Sequence, residues 1–265
     1  MREQSIVTWR VVFAFVVAAV ASACVPSEQP VTAAPQLATS PAPSSQVVAR
    51  SVPPGQWRAV LVAGDSSSPA FNNGVETMRD RLTADGVRNV RVLAADPAGL
   101  SDAELASAAN VRRALQAPGA AACFAFLTSH GDQRGFFLRA SRTLLAPAAL
   151  EQALDQGCGA APTVLIVSAC HSGTFITEGS RRPNRIILTA AATDRASFGC
   201  GVDNEYTYYD RCLLLQFDQA HTWRELAYAT LSCVERTERR LGVRQDSRPQ
   251  IFVGADVADL RLPGR

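Results

Sequence analysis

The 265-residue sequence contains no lysine; all 26 basic side chains are arginine, against 24 acidic ones, for a formal net charge of +2. The missing lysine reads as the codon habit of a GC-rich genome. The near balance of charge removes the electrostatic footprint of a nucleic-acid-binding protein, so no nucleic-acid partner is expected. Histidine is scarce too: His130, His171 and His221 are scattered, with no close cysteine or carboxylate spacing, so no metal site is expected. There is no internal repeat. Ser172 lacks the Gly-x-Ser-x-Gly elbow, which sets aside the usual serine hydrolase of a doubly wound sheet.

What is present begins at the N-terminus. Residues 11–23 form a run of 13 residues, apolar except for Ser22 and preceded by Arg2 and Arg10. That is too short to span a bilayer comfortably, which takes ~20 residues, but it suits the h-region of a secretory signal. The run ends Ala21-Ser22-Ala23-Cys24, which resembles the lipobox of bacterial lipoproteins. Residues 1–23 are therefore expected to be a signal peptide of the lipoprotein type, with Cys24 as the acylated attachment site and membrane lipid as its partner; a plain cleaved signal is the alternative. Both place the protein outside the cytoplasm. Val25 is not an aspartate retention signal, which favours a periplasm-facing outer-membrane anchor. Residues 25–55 carry seven of the 15 prolines and only two charges, so 24–55 is expected to be a semi-extended tether and 56–265 one folded domain.

Within that domain, short apolar runs alternate with helical stretches. Strands are expected at 58–63, 89–94, 122–128, 163–168, 185–190 and 250–253. Helices are expected at 73–85, from the capping box Ser101-Asp102-Ala103-Glu104 to 116, at 147–156 behind Pro147, and from the capping box Thr222-Trp223-Arg224-Glu225 to Gly242. Runs such as Val164-Leu165-Ile166-Val167 do not alternate, and strands apolar on both faces belong to parallel sheets covered by helices. The fold class is a three-layer α/β domain.

In such sheets the working site lies at the carboxyl ends of the strands. The third strand runs into Ser129-His130-Gly131-Asp132 and the fourth into Ala169-Cys170-His171-Ser172-Gly173, about forty residues on. If these strands are neighbours, Cys170 and His130 face one cleft. A thiolate is the nucleophile that acyl transfer needs, and an imidazole can take its proton and return it to the leaving amine. Backbone N–H groups at Gly131 and Cys170 are candidates for an oxyanion site. His171 adjoins Cys170, but neighbouring residues leaving a strand point oppositely, which favours His130 as the base. Asp132, Asp194 and Asp210 read as solvated or turn carboxylates.

Strand–His-Gly followed by strand–Ala-Cys-x-Ser-Gly resembles the paired signatures of the legumain-like peptidases, within the larger caspase-fold group. Val62-Ala63-Gly64, Leu188-Thr189-Ala190-Ala191 and Ser197-Phe198-Gly199 extend the similarity over most of the domain. The resemblance implies a six-stranded, mostly parallel sheet, a Cys–His dyad of Cys170 and His130, a protein or peptide substrate and no cofactor. It also matches Asn72 to an asparagine that orients the histidine, and places Ser168 and Ser197 beside the substrate. Legumains carry an acidic residue where this chain has Ser168 and an asparagine-recognising arginine where it has Gly74, while Cys170-His171-Ser172-Gly173-Thr174 is nearer the metacaspase pattern. Glu205 or Asp203, in the loop after the fifth strand, is then expected to line the primary specificity pocket, with Tyr206, Tyr208 and Tyr209 shaping a groove or packing the loop.

Besides Cys24 and Cys170, five cysteines remain, an odd number that leaves at least one unpaired. A Cys200–Cys212 disulfide is expected beside the pocket, and Cys123 reads as a small core residue. The functional expectation is a lipid-anchored cysteine endopeptidase; a transamidase using the same dyad and a catalytically silent binding module are the alternatives.

Overall fold

The computed structural model describes residues 51–265. The signal segment, Cys24 and residues 24–50 of the expected tether lie outside the described residues. The elements are, in chain order, β1 (Trp57–Ala63), α1 (Pro69–Ala84), β2 (Asn89–Ala94), β3 (Glu104–Leu105), α2 (Ala108–Leu115), β4 (Ala122–Thr128), β5 (Gly131–Asp132), β6 (Gly135–Leu138), β7 (Thr143–Leu145), α3 (Pro147–Cys158), β8 (Thr163–Ser168), β9 (Arg185–Thr189), α4 (Tyr208–Phe217), α5 (Trp223–Leu241) and β10 (Gln250–Val253). A seven-stranded sheet has the order β10-β9-β8-β4-β1-β2-β3. Every pairing in it is parallel except β10 with β9. Six strands carry the sheet, and the seventh is the two-residue β3.

The unbroken apolar runs are explained by burial on both faces. In β1, Trp57, Ala59, Leu61 and Ala63 join the core with Phe71 of α1, Leu213 of α4 and Trp223 of α5. The alternate residues Val60 and Val62 join the opposite core with Val111 of α2 and Leu154 of α3. The strand therefore alternates in direction but not in polarity, as a covered central strand must. At full burial each such Leu, Val or Phe side chain contributes about 1.5–3 kcal/mol. No described helix is long and apolar enough to cross a membrane.

The capping boxes fare differently. At α5 the Thr222 hydroxyl accepts from the Glu225 N–H while the Glu225 carboxylate accepts from the Thr222 N–H, and Gly242 closes the helix in the left-handed region at φ 64°. At Ser101 no helix forms. Glu104–Leu105 instead adds to β2, and Ser107 caps the later helix α2 by accepting from the Asn110 N–H. The exposed strand edge and a better-placed cap outweigh the local pattern. The first helix begins earlier than its sequence pattern, because Ser68 caps it and Pro69 occupies its first turn.

The cysteine pairing is also corrected. Cys212 bonds to Cys233 rather than Cys200, because α4 and α5 lie side by side and bring the two Cα atoms to 5.6 Å. Cys123 bonds to Cys158 across β4 and α3, with Cα atoms 6.1 Å apart, and is not a free core thiol. Cys170 and Cys200 are the free cysteines among the described residues.

Candidate active site

β4 and β8 are parallel neighbours, and Thr128 pairs with Ser168 at their carboxyl ends. His130 and Cys170 each stand two residues past that pair, so equal chain lengths carry both to one rim. They line a common cleft with Phe71, Ser168, Ser197 and Cys200. The free space there is only ≈ 10 Å³, about enough for one water. A larger hollow of ≈ 750 Å³ on the flank, lined by Arg79, Arg88 and Asp102, contains neither residue.

The Cys170 sulfur is held by the loop that fills the cleft: it accepts from the Ser197 N–H at 3.3 Å and donates to the Ser197 carbonyl at 3.6 Å. Ser197 thus meets Cys170 through its backbone. The next residue, His171, is left-handed at φ 57°. Its N–H donates to the Arg195 carbonyl (2.8 Å) and its Nδ1 to the Thr193 carbonyl (2.9 Å). A carbonyl only accepts, so Nδ1 of His171 carries its proton into a structural bond. Gly131 leaves no room for a side chain: a Cβ there would lie 2.9 Å from the Cys170 carbonyl oxygen.

His130 is half-buried. Phe71 meets its ring edge-on, with centroids 5.3 Å apart, and Ser67 Oγ lies 3.4 Å from Nε2. Its pKa is raised above the ordinary imidazole value, chiefly by the Cys200 thiol beside it; partial burial opposes this, the Asp65 charge adds to it and Arg139 subtracts. Asn72, matched by resemblance to the orienting asparagine, makes no hydrogen bond to His130, and its Oδ1 is buried without a partner. Ser67 occupies that place instead.

Asp210 corrects the reading of a solvated carboxylate, being 0% exposed. It lies on the first turn of α4, behind Ser168 and Thr128. Thr128 Oγ1 donates to its Oδ2 at 2.6 Å, and Oδ1 has no partner. Burial pushes its pKa up to about 6, against the hydroxyls of Ser168, Thr128 and Thr207. A Cβ at Gly74 would stand 3.3 Å from its Oδ2. Ser168 is itself buried, with its hydroxyl 3.5 Å from that of Thr207. Asp132 and Asp194 are solvated, paired with Arg134 and with Arg195 and Arg248.

Glu205 is not part of the cleft. Its carboxylate lies 3.6 Å from Arg211 on the flank of α4, and its backbone carbonyl accepts from Asn73. Tyr206 packs that loop down through a 3.0 Å bond to Thr77. Asp210 and Ser67 carried no sequence signal beyond the ordinary helix-start and loop residues around them. Among the described residues no group of three or more His, Cys, Asp or Glu side chains is placed to hold a metal ion.

A three-layer sheet with this rim is the caspase-like fold. The structure is similar to the crystal structure of caspase-1 from Spodoptera frugiperda, with a TM-score of 0.53 and 12% identity, over 78% of this chain and 88% of that chain. Residues 100–234 match the model of the Peptidase C13 family. The chain belongs to that family, the legumain family, and is a cysteine-type peptidase. None of the curated proteins compared matches it in sequence.

Proposed function

We propose that the protein is a cell-envelope cysteine endopeptidase in which Cys170 is the nucleophile and His130 the general base and acid. The observation that carries this reading is the equal placement of the two side chains past the paired ends of β4 and β8, in one cleft. Cys170 Sγ attacks the scissile carbonyl as His130 takes the thiol proton, and the imidazolium returns it to the leaving amine. Water, activated by His130, then hydrolyses the thioester. Backbone N–H groups near Gly131 and Cys170 are the proposed oxyanion donors. The loop carrying Ser197 must move aside for a peptide to enter.

Ser168 and Thr207 line the cleft, and Asp210, buried behind them, is the proposed acid of a primary specificity pocket that forms when the loop opens. A buried carboxylate oxygen without a donor is costly, and a substrate side chain that is cationic or rich in N–H donors relieves it. Gly74 packs closely over that carboxylate, where a Cβ would stand 3.3 Å from Oδ2. The N-terminal signal pattern supports the envelope location and lipid anchor, and the two disulfides, which persist in oxidising compartments, support the location.

The test is intact-mass analysis after exposure to peptidyl electrophiles that differ in the residue beside the warhead. A selective adduct on Cys170, absent in Cys170→Ala and slowed ~100-fold or more in His130→Ala, is expected. Equal labelling of Cys200, or labelling indifferent to His130, would overturn the dyad.

A further inference from the structure

Asp65 stands two residues past the end of β1 and is 0% exposed. Its Oδ1 accepts from the Ser67 N–H (2.6 Å) and from Arg139 Nε (2.8 Å), while Oδ2 is buried with no partner. Arg139 is fixed at this corner twice, since its backbone N–H also donates to the Gly64 carbonyl at 2.9 Å. The Asp65 turn therefore sets Ser67, and the Ser67 hydroxyl reaches His130 Nε2 at 3.4 Å, a long contact of the kind that tightens when substrate binds. Asp65 and Ser67 precede the span that matches the family model, which begins at residue 100.

We propose that Asp65 and Ser67 are positioning residues for His130: Asp65 fixes the turn and supplies negative charge, and Ser67 accepts from Nε2–H so that Nδ1 keeps the lone pair for the thiol proton. This deepens the proposed dyad and rests on it. A serine hydroxyl can donate or accept, so the tautomer is part of the proposal: with Ser67 accepting, Nε2 holds the proton and Nδ1 the lone pair. The groups around the imidazole are Asp65 and Ser67 from the β1 corner, Arg139 after β6, Phe71 from α1, the Cys200 thiol beside it and, lining the same cleft, Cys170. Of the fixed charges, Asp65 favours imidazolium and Arg139 disfavours it.

The two charges give the test opposite signs. The His130 pKa is read by NMR in the full protein, its signal identified as the one lost in His130→Ala. It is expected to fall in Asp65→Asn and to rise in Arg139→Gln, and the pH profile of Cys170 labelling should move with it. Ser67→Ala should slow labelling at its pH plateau roughly 5- to 10-fold, as loss of one hydrogen bond allows, and Ser67→Thr should restore it. Arg139 is 48% exposed, so its variant keeps the test alive if Asp65→Asn does not fold. An unchanged His130 titration in the charge variants, or full-rate labelling in Ser67→Ala, overturns the relay. If the His130 pKa moves as expected and the labelling profile does not follow, the relay stands and the dyad fails.

Discussion

Asp65 and Asp210 are both fully buried carboxylates at the carboxyl end of the sheet, one behind His130 and the other behind Ser168. Each leaves one oxygen without a donor, but Asp65 has a cation, with Arg139 Nε at 2.8 Å, whereas Asp210 has only hydroxyls. Their titration follows. Burial works against the Asp65 charge, but bonds from Arg139 and Ser67 overcome it and hold its pKa below the ordinary carboxylate value. At Asp210 burial prevails, and the pKa climbs to about 6. Burial alone does not decide what an acidic residue does in a cleft; the presence of a resident counter-charge does. A carboxylate with its own arginine is a fixed field, and one without it is a vacancy for a charge carried in by another molecule.

Removing the acid that lacks a counter-charge should have the largest effect. Asp210→Asn is expected to lower kcat/KM for peptides with a cationic side chain before the scissile bond by ~100-fold, the scale of a buried charge pair that loses one partner. Peptides with a neutral side chain there should lose little; equal losses for both would make Asp210 merely structural.

The same substitution should stabilise the protein. Folding raises the Asp210 pKa from 3.8 to about 6. Below pH 3.8 folded and unfolded chains both hold the proton and the group has no effect; between there and about pH 6 stability falls as pH rises, and above it the penalty is constant. Urea unfolding of Asp210→Asn should therefore show a gain of up to about 3 kcal/mol at pH 7.5 that vanishes near pH 3.5. A constant difference across that range would contradict the assignment.

Asp65→Asn should act in the opposite direction, destabilising by about 1–2 kcal/mol at neutral pH through weakened charge-assisted bonds. Its folded pKa is depressed, so that contribution is present above the unfolded carboxylate value and lost as pH falls through the folded one. Differential denaturation of the two variants in one buffer series would show curves of opposite slope. The smallest change is expected at Gly74→Ala, where a gain of about 1 kcal/mol in helix propensity is offset by a Cβ 3.3 Å from Asp210 Oδ2. Its melting temperature should stay close to that of the parent.

How far such contrasts can be read from sequence depends on whether their cause is local. Strands β2, β4, β8 and β10 have the bounds read from their sequence runs, and in β4 and β8 burial on two faces writes itself into consecutive side chains. The rim placement of His130 and Cys170 followed from the strand ends. The small sheet β5–β7 and helix α4 were not legible, since neither carries a period distinct from its loop surroundings. Asp65 and Asp210 look alike as letters, and only tertiary packing brings Arg139 to one and leaves the other alone. The cysteine pairs failed for the same reason: Cys212 is 12 positions from Cys200 in the chain, yet its partner is on the neighbouring helix.

The near-absence of open space beside Cys170 has a kinetic meaning. If the loop that holds the sulfur through Ser197 opens only a small fraction of the time, every ligand's apparent affinity is reduced by that fraction. Peptides whose subsites fit poorly are then turned away before any chemistry, while a well-matched one holds the loop open by its own binding. A resting protein of that kind would be latent, its turnover of poorly matched chains set by a conformational threshold rather than by a weak nucleophile.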